Sequence, residues 1–98
     1  MTVAERLAAV REQVATAARA SGRPPEAVTL VVVTKEVELD AIRSALDAGA
    51  TDLGENRAQE LVPKAAAIAR DATHAPRWHF IGRLQRNKVR AAAPYVAL

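Results

Sequence analysis

The feature that most constrains this chain is the unbroken run of β-branched and apolar residues at 29–34, TLVVVT. A run of this kind is typical of a parallel strand covered on both faces, because a strand with one face in water alternates apolar and polar residues. It follows residues 2–20, in which apolar side chains recur every three or four positions, as on an amphipathic helix. The chain is therefore expected to be an α/β protein with a parallel sheet.

The rest of the chain repeats this alternation of helical and extended segments. Helices are predicted at residues 2–20, 38–48, 57–70 and 84–93, and strands at 29–34, 50–53, 78–81 and 95–98. This order implies about four parallel strands joined by right-handed crossovers, with an extra N-terminal helix. We treat residues 1–98 as one partial domain, with the N-terminal helix at 1–22 and βα units at 29–98.

Helix ends are marked by specific residues. Thr2 and Glu5 fit a capping box, while Gly22 and Gly49 each follow a helical segment and fit its end. Pro63 either kinks the third helix or begins its main part as a first-turn residue, and the sequence leaves both readings open.

Composition excludes several classes of protein. The chain has 50% hydrophobic and 26% charged residues, which indicates a globular domain and not a disordered one. It has no Cys and only 2 His, so disulfides and thiolate zinc sites are excluded and a protein-built metal site is not expected. No stretch approaches the roughly 18 apolar residues of a membrane span, and a cytoplasmic location is expected.

Positive charge is concentrated late in the chain, which has a net charge of +3. Residues 77–90 contain no acid and five bases, namely Arg77, Arg83, Arg86, Lys88 and Arg90. Such a cluster fits either a nucleic-acid surface or the solvated face of a helix. The second interpretation is favoured because no aromatic residue lies among the bases after Phe80 to stack on nucleobases.

Parallel α/β folds gather functional groups at the carboxyl ends of their strands, where Lys35, Asn56 and the region of Gly82 are predicted to lie, and His79 within the third strand is a further candidate. Lys35 directly follows the first predicted strand, where a low-dielectric surrounding would lower the pKa of its amine and let it attack an aldehyde. The alternative is a solvated lysine at a strand edge. Asn56 could donate to a ligand or cap the next helix, and His79 could serve a site or be a buried histidine with one hydrogen bond.

The neighbouring carboxylates have a simpler interpretation. Glu36, Glu38 and Asp40 are assigned to the first turn of the second helix, where the helix dipole favours negative charge. The four glycines are isolated, so neither a dinucleotide-binding fingerprint nor a Walker loop is present to hold a phosphate.

Three ordered blocks, TLVVVTK at 29–35, GENRAQE at 54–60 and WHFIGRLQRNK at 78–88, closely resemble the pyridoxal phosphate homeostasis family. That family is related in fold to the N-terminal barrel domain of alanine racemase. The resemblance implies the N-terminal part of a (β/α)8 TIM-type barrel. It further implies that Lys35 corresponds to the lysine that holds pyridoxal 5'-phosphate as a Schiff base, with Asn56 and His79 on the cofactor side.

The resemblance implies a cofactor carrier or homeostasis factor of bacterial type, and not a catalyst. An enzyme of alanine racemase type is the alternative, and a basic nucleic-acid-binding module is the third hypothesis. A complete barrel needs about 250 residues, so the chain is expected to be the N-terminal part of one, whether as a truncated copy, a partial reading frame or an expressed fragment. A partial barrel would expose strand edges, so self-association is expected. It would also lack the family's phosphate-binding loops and part of the pocket wall around Lys35, so weak cofactor binding is expected.

Overall fold

The computed structural model describes residues 2–71, 74–81 and Pro94. Its elements, in chain order, are the helix α1 (Val3–Ala20), a short 3-10 helix (Pro25–Ala27), the strand β1 (Val31–Val33), the helix α2 (Leu39–Asp47), the strand β2 (Asp52–Glu55), the helix α3 (Ala58–Asp71) and the strand β3 (Arg77–Phe80).

The three strands form one parallel sheet in the order β1-β2-β3. Val32 is aligned with Leu53, and Leu53 with Trp78, so these three residues share one face of the sheet. The predicted α/β class, parallel pairing and sequential strand order are confirmed for these strands. The region of Gly82, the helix predicted at 84–93, the strand predicted at 95–98 and the basic cluster beyond Arg77 lie outside the described residues.

Gly22 and Gly49, which were predicted to follow the ends of helices, terminate α1 and α2 in the same way. After α1, Gly22 has φ 77 and donates to the Arg19 carbonyl, while Arg23 donates to the Ala18 carbonyl. This pair of hydrogen bonds is the Schellman motif, in which a residue without a Cβ adopts the left-handed conformation at low cost. At its other end α1 has the predicted capping box of Thr2 and Glu5.

The end of α2 explains why the second strand begins later than predicted. Gly49 has φ 103 and donates to the Leu46 carbonyl, and Ala50 donates to the Ala45 carbonyl. Ala50 is therefore part of the helix termination, and pairing with β1 begins only at Asp52. The predicted strand at 50–53 is thus wrong by two residues at both ends, and it runs on through Gly54 and Glu55.

Pro63 lies inside α3, which begins at Ala58 with the Leu61 amide donating to the Arg57 carbonyl. The first-turn interpretation of Pro63 is therefore wrong, because a full turn of helix precedes it. A proline at this place cannot donate to the carbonyl of Gln59, four residues earlier.

The core lies between the sheet and helices α2 and α3. Its largest members are Ile42, Leu46, Leu53, Leu61, Ile68 and Trp78. The strand residues in this set point to the helix side. Val33, on the opposite face, is 49% exposed, so the prediction of a first strand covered on both faces is wrong at this position.

No helix among the described residues is long and apolar enough to cross a membrane.

Candidate functional site

The carboxyl ends of the three strands form the edge at which the predicted site residues were expected. Lys35 lies two residues beyond the end of β1, and Asn56 directly follows β2. His79 is the third residue of β3 and is aligned with Gly54 of β2. The structure therefore brings Lys35 and Asn56 to the same edge and places His79 one step inside it. Their role toward a cofactor stays a prediction.

Lys35 and Asn56 are both exposed to solvent. The expected low-dielectric surrounding of Lys35 is thus not present in the described part of the chain, because the turn carries its side chain away from the core. Among the described residues, the Lys35 ammonium makes no hydrogen bond or ion pair. Asn56 likewise makes no side-chain hydrogen bond with this part of the protein, so it does not cap α3.

Lys35 occupies the second position of a four-residue turn. The Val37 amide donates to the Thr34 carbonyl at 3.0 Å and closes the turn. Glu36, at the third position, has φ 60 and is the only described residue other than glycine with a positive φ. A positive φ at this position is what a type II turn requires, and glycine or asparagine is preferred there. Glu36 therefore precedes α2, and its assignment to the first helical turn is wrong.

A buried ionic cluster lies directly beneath this turn. The Lys64 ammonium, on α3, donates to the Thr34 carbonyl at 2.6 Å, to Glu55 Oε2 at 2.9 Å and to Glu60 Oε2 at 3.1 Å. Glu55 Oε2 also accepts a short hydrogen bond from the Thr34 hydroxyl. Glu60 Oε2 accepts from the Glu36 amide at 2.9 Å. We call Thr34, Glu55, Glu60 and Lys64 the α3 clamp.

The clamp keeps Lys64 charged. Burial by itself lowers the pKa of Lys64, but the hydrogen bonds and charges of Glu55 and Glu60 outweigh it and raise the pKa. Its side chain is only 14% exposed, and that of Glu55 is 0% exposed. Because a protonated amine cannot act as a nucleophile, Lys64 is unsuited to bond an aldehyde. Of the two described lysines, only Lys35 has a head group without a partner among the described residues.

A second polar cluster surrounds Asp52 at the start of β2. The guanidinium of Arg77 contacts both carboxylate oxygens, at 3.0 and 3.1 Å. Thr51 donates to Oδ1 at 2.7 Å, and His79 Nε2 lies 2.7 Å from Oδ2. Burial by itself raises the pKa of Asp52, but the hydrogen bonds from His79, Thr51 and Arg77 together lower it to about 2. His79 is thus a half-buried histidine with one polar partner among the described residues. This resembles the interpretation of His79 as a buried histidine with one hydrogen bond.

Gly54 allows the residue after β3 to lie against β2. A Cβ at Gly54 would come within 2.4 Å of Ile81 Cδ1 and 3.0 Å of Val31 Cγ1. A contact of 2.4 Å does not occur at a real Cβ, and one of 3.0 Å is unusually tight, so a larger residue would push the end of the Ile81 side chain outward. The absence of a side chain at Gly54 therefore lets Ile81, just after β3, lie close to β2 on the face that carries His79.

Four charged residues of these clusters were not predicted from the sequence, namely Asp52, Glu55, Glu60 and Lys64. One signal was available, since Glu60 and Lys64 are four residues apart in the favourable acid-before-base order on a helix. Glu55 and Asp52 had no such signal, because carboxylates are rarely expected to be buried.

Comparison with known proteins reveals clear relatives. The chain is 42% identical over 93 residues to the pyridoxal phosphate homeostasis protein of Escherichia coli strain K12, covering 95% of this chain and 40% of that protein. A protein of the same name from Deinococcus radiodurans is 46% identical over 91 residues, which is 92% of this chain and 39% of the relative. No protein-family model matches the chain.

The fold has solved counterparts. The structure of PipY from Synechococcus elongatus PCC7942 without PLP matches with a TM-score of 0.78 and 39% identity, over 97% of this chain and 39% of PipY. The structure of PipY with PLP bound matches with a TM-score of 0.77 and 38% identity.

The sequence comparison and the structural comparison thus both cover nearly the whole of this chain. The chain spans about 40% of the length of the curated relatives it matches. The chain is therefore similar, over nearly its whole length, to the pyridoxal phosphate homeostasis proteins.

Proposed function

We propose that this protein binds pyridoxal 5'-phosphate through Lys35 and serves in homeostasis or carriage of that cofactor. The observation that carries the proposal is an exposed lysine at the carboxyl edge of a parallel sheet, with no partner among the described residues. The named role of the relatives and the PLP-bound state of PipY support the choice of cofactor.

The residues at this edge fit the cofactor's chemistry. When bound, pyridoxal phosphate supplies an aldehyde that joins reversibly to a lysine amine as a Schiff base. Lys35 offers that amine. Asn56 follows the neighbouring strand and can donate from its side-chain amide to an oxygen of the bound molecule. His79 faces the same side as Gly54; one ring nitrogen is held by Asp52, and the other has no partner among the described residues.

A non-catalytic role is part of the proposal. The relatives are named as homeostasis proteins, and racemase-type chemistry needs a second acid–base group opposite the lysine. Within the described residues, the buried and partly buried charged groups near Lys35 belong to the α3 clamp, which holds the backbone on either side of Lys35. No observation in this part of the chain favours a nucleic-acid role. The absence of a nucleic-acid partner and the cytoplasmic location remain predictions.

We also propose that the βα units belong to a (β/α)8 barrel, as the sequential parallel order β1-β2-β3 supports. Strands at the margins of an incomplete sheet leave backbone groups unpaired. Self-association of the 98-residue chain is therefore expected. Sedimentation that shows only a monomer at every concentration would contradict this part of the proposal.

The central test is to locate the site of attachment. The chain is incubated with pyridoxal phosphate, treated with borohydride to make the bond permanent, digested, and mapped by mass spectrometry. We expect the adduct on Lys35 and not on Lys64 or Lys88, the other two lysines. The Lys35→Ala variant should lose both the adduct and the absorbance of the bound cofactor, whereas the matched control Lys88→Ala should retain them.

An adduct on another lysine, or an unchanged spectrum in Lys35→Ala, would show that the proposed attachment is wrong.

A further inference from the structure

The backbone of Lys35 is held on both sides by side chains of α3. The carbonyl just before it, that of Thr34, accepts from the Lys64 ammonium at 2.6 Å. The amide just after it, that of Glu36, donates to Glu60 Oε2 at 2.9 Å. Two hydrogen bonds from one helix therefore bracket a single residue, whose side chain has no partner among the residues that the structure describes.

The two holding groups are themselves joined. Lys64 and Glu60 form an ion pair at 3.1 Å, four residues apart on α3. Lys64 is also anchored to the fully buried Glu55 of β2 at 2.9 Å. Hydrogen bonds that involve a charged partner are shorter and stronger than neutral ones, and partial burial limits competition from water. Together these contacts link the turn of Lys35 rigidly to both a strand and a helix.

The charge state of Glu60 suits this task. The hydrogen bond from the Glu36 amide and then that from Lys64 lower the pKa of Glu60, against a smaller opposing effect of burial. Glu60 is therefore ionised at neutral pH and is a strong acceptor for the Glu36 amide.

The turn needs external support because of Glu36. A residue with a Cβ at φ 60 is less stable there than in the right-handed region. Such a conformation persists only when its surroundings impose it. The Val37 to Thr34 hydrogen bond closes the turn from within, and the clamp adds the contacts from outside.

We propose that Lys64 and Glu60 are positioning residues for Lys35: they fix the backbone on either side of it and so present its amine at the carboxyl edge of the sheet. The significance for cofactor attachment rests on the proposed function. The claim that these two side chains hold the turn does not depend on the cofactor, and it is tested without any ligand.

The first test is amide hydrogen exchange, measured by NMR on the 98-residue chain without cofactor. In Glu60→Ala we expect the Glu36 amide to exchange about tenfold faster or more, because one charge-assisted hydrogen bond is lost. Glu60→Gln keeps an acceptor oxygen and should restore most of the protection. Gln59→Ala, an exposed neighbour on the same helix, is the matched control and should exchange like the parent.

The Leu53 amide, in the central strand, reports global unfolding. Equal acceleration of Leu53 and Glu36 in Glu60→Ala would show a general loss of stability and overturn the positioning role. Unchanged exchange at Glu36 would overturn it as well.

The second test uses pyridoxal phosphate and borohydride, with the rate of adduct formation on Lys35 as the readout. Glu60→Ala should form the adduct several-fold more slowly than the parent, and Glu60→Gln should recover the rate. A rate equal to the parent's, despite faster Glu36 exchange, would overturn the link to attachment. A parent chain that forms no adduct would instead overturn the proposed function, and the exchange experiment would still decide whether Glu60 holds the turn.

Discussion

Replacing Asp52 with asparagine removes a buried charge whose contribution to stability depends on pH in a defined way. The Asp52 side chain is 2% exposed, and although burial alone would raise its pKa, three hydrogen bonds lower the pKa from 3.8 to about 2. The unfolded chain therefore binds the proton more tightly than the folded one. The stability from this group is fully present above about pH 4 and is lost as the pH falls toward 2.

The magnitude follows from the shift. A drop in pKa from 3.8 to about 2 corresponds to about 2 kcal/mol at neutral pH, since one pKa unit is about 1.4 kcal/mol. We take this as an upper value, because the side chain of Arg77 is 65% exposed and water screens its charge. An asparagine at this position cannot reproduce both acceptor oxygens, so Asp52→Asn should lose most of this contribution at pH 6. At pH 3 the difference should fall to roughly half.

Trp78 provides the assay, because it is the only tryptophan and is buried in β3. Urea unfolding is followed by its fluorescence at several pH values between 3 and 7, for the parent, Asp52→Asn and Asp40→Asn. Asp40 lies on the surface of α2 and serves as the control, with little expected change. A difference between parent and Asp52→Asn that stays constant with pH, or that grows as the pH falls, would refute this account of Asp52.

Three further substitutions test the structure elsewhere. Lys64→Met should destabilise the chain by about 3 kcal/mol in urea unfolding, because it leaves the buried Glu55 carboxylate without its positively charged partner, and adding Glu55→Gln should recover much of the loss; no recovery would contradict this. Gly54→Ala should cost about 1 kcal/mol or more by displacing Ile81, and less in an Ile81→Ala background, so equal costs in both backgrounds would argue against the contact. Glu36→Gly should raise stability by roughly 0.5 kcal/mol, because the relief of the left-handed conformation exceeds the added chain entropy, and a loss of stability on thermal melting would contradict this.

The order and direction of the described elements could be read from the sequence because their signals are local. A β-branched run and a three-to-four periodicity each specify one element without reference to distant residues. Gly22 and Gly49 were predicted as helix ends, and their φ values of 77 and 103 show why a residue without a Cβ stands there. Once the strands are parallel, the position of Lys35 at the carboxyl edge follows from chain direction alone.

The first and last residues of β2 could be determined only from the structure. Ala50 is apolar and precedes a strand, yet its amide completes the end of α2. Pattern reasoning cannot assign a residue that fits two neighbouring elements, because that choice depends on which hydrogen bond forms.

The polar surroundings of the site were also decided by tertiary structure. Asp52 and Arg77 are 25 residues apart, and Lys64 reaches a carbonyl 30 residues away. These pairs meet only because the register of the sheet and the placement of α3 bring them together. Burial of a carboxylate is favourable only where such partners are already in position. The sequence by itself thus determined the alternation of elements and the edge at which Lys35 lies. Tertiary packing decided which of the described charges are buried, and which of the two described lysines has a partner in this part of the chain.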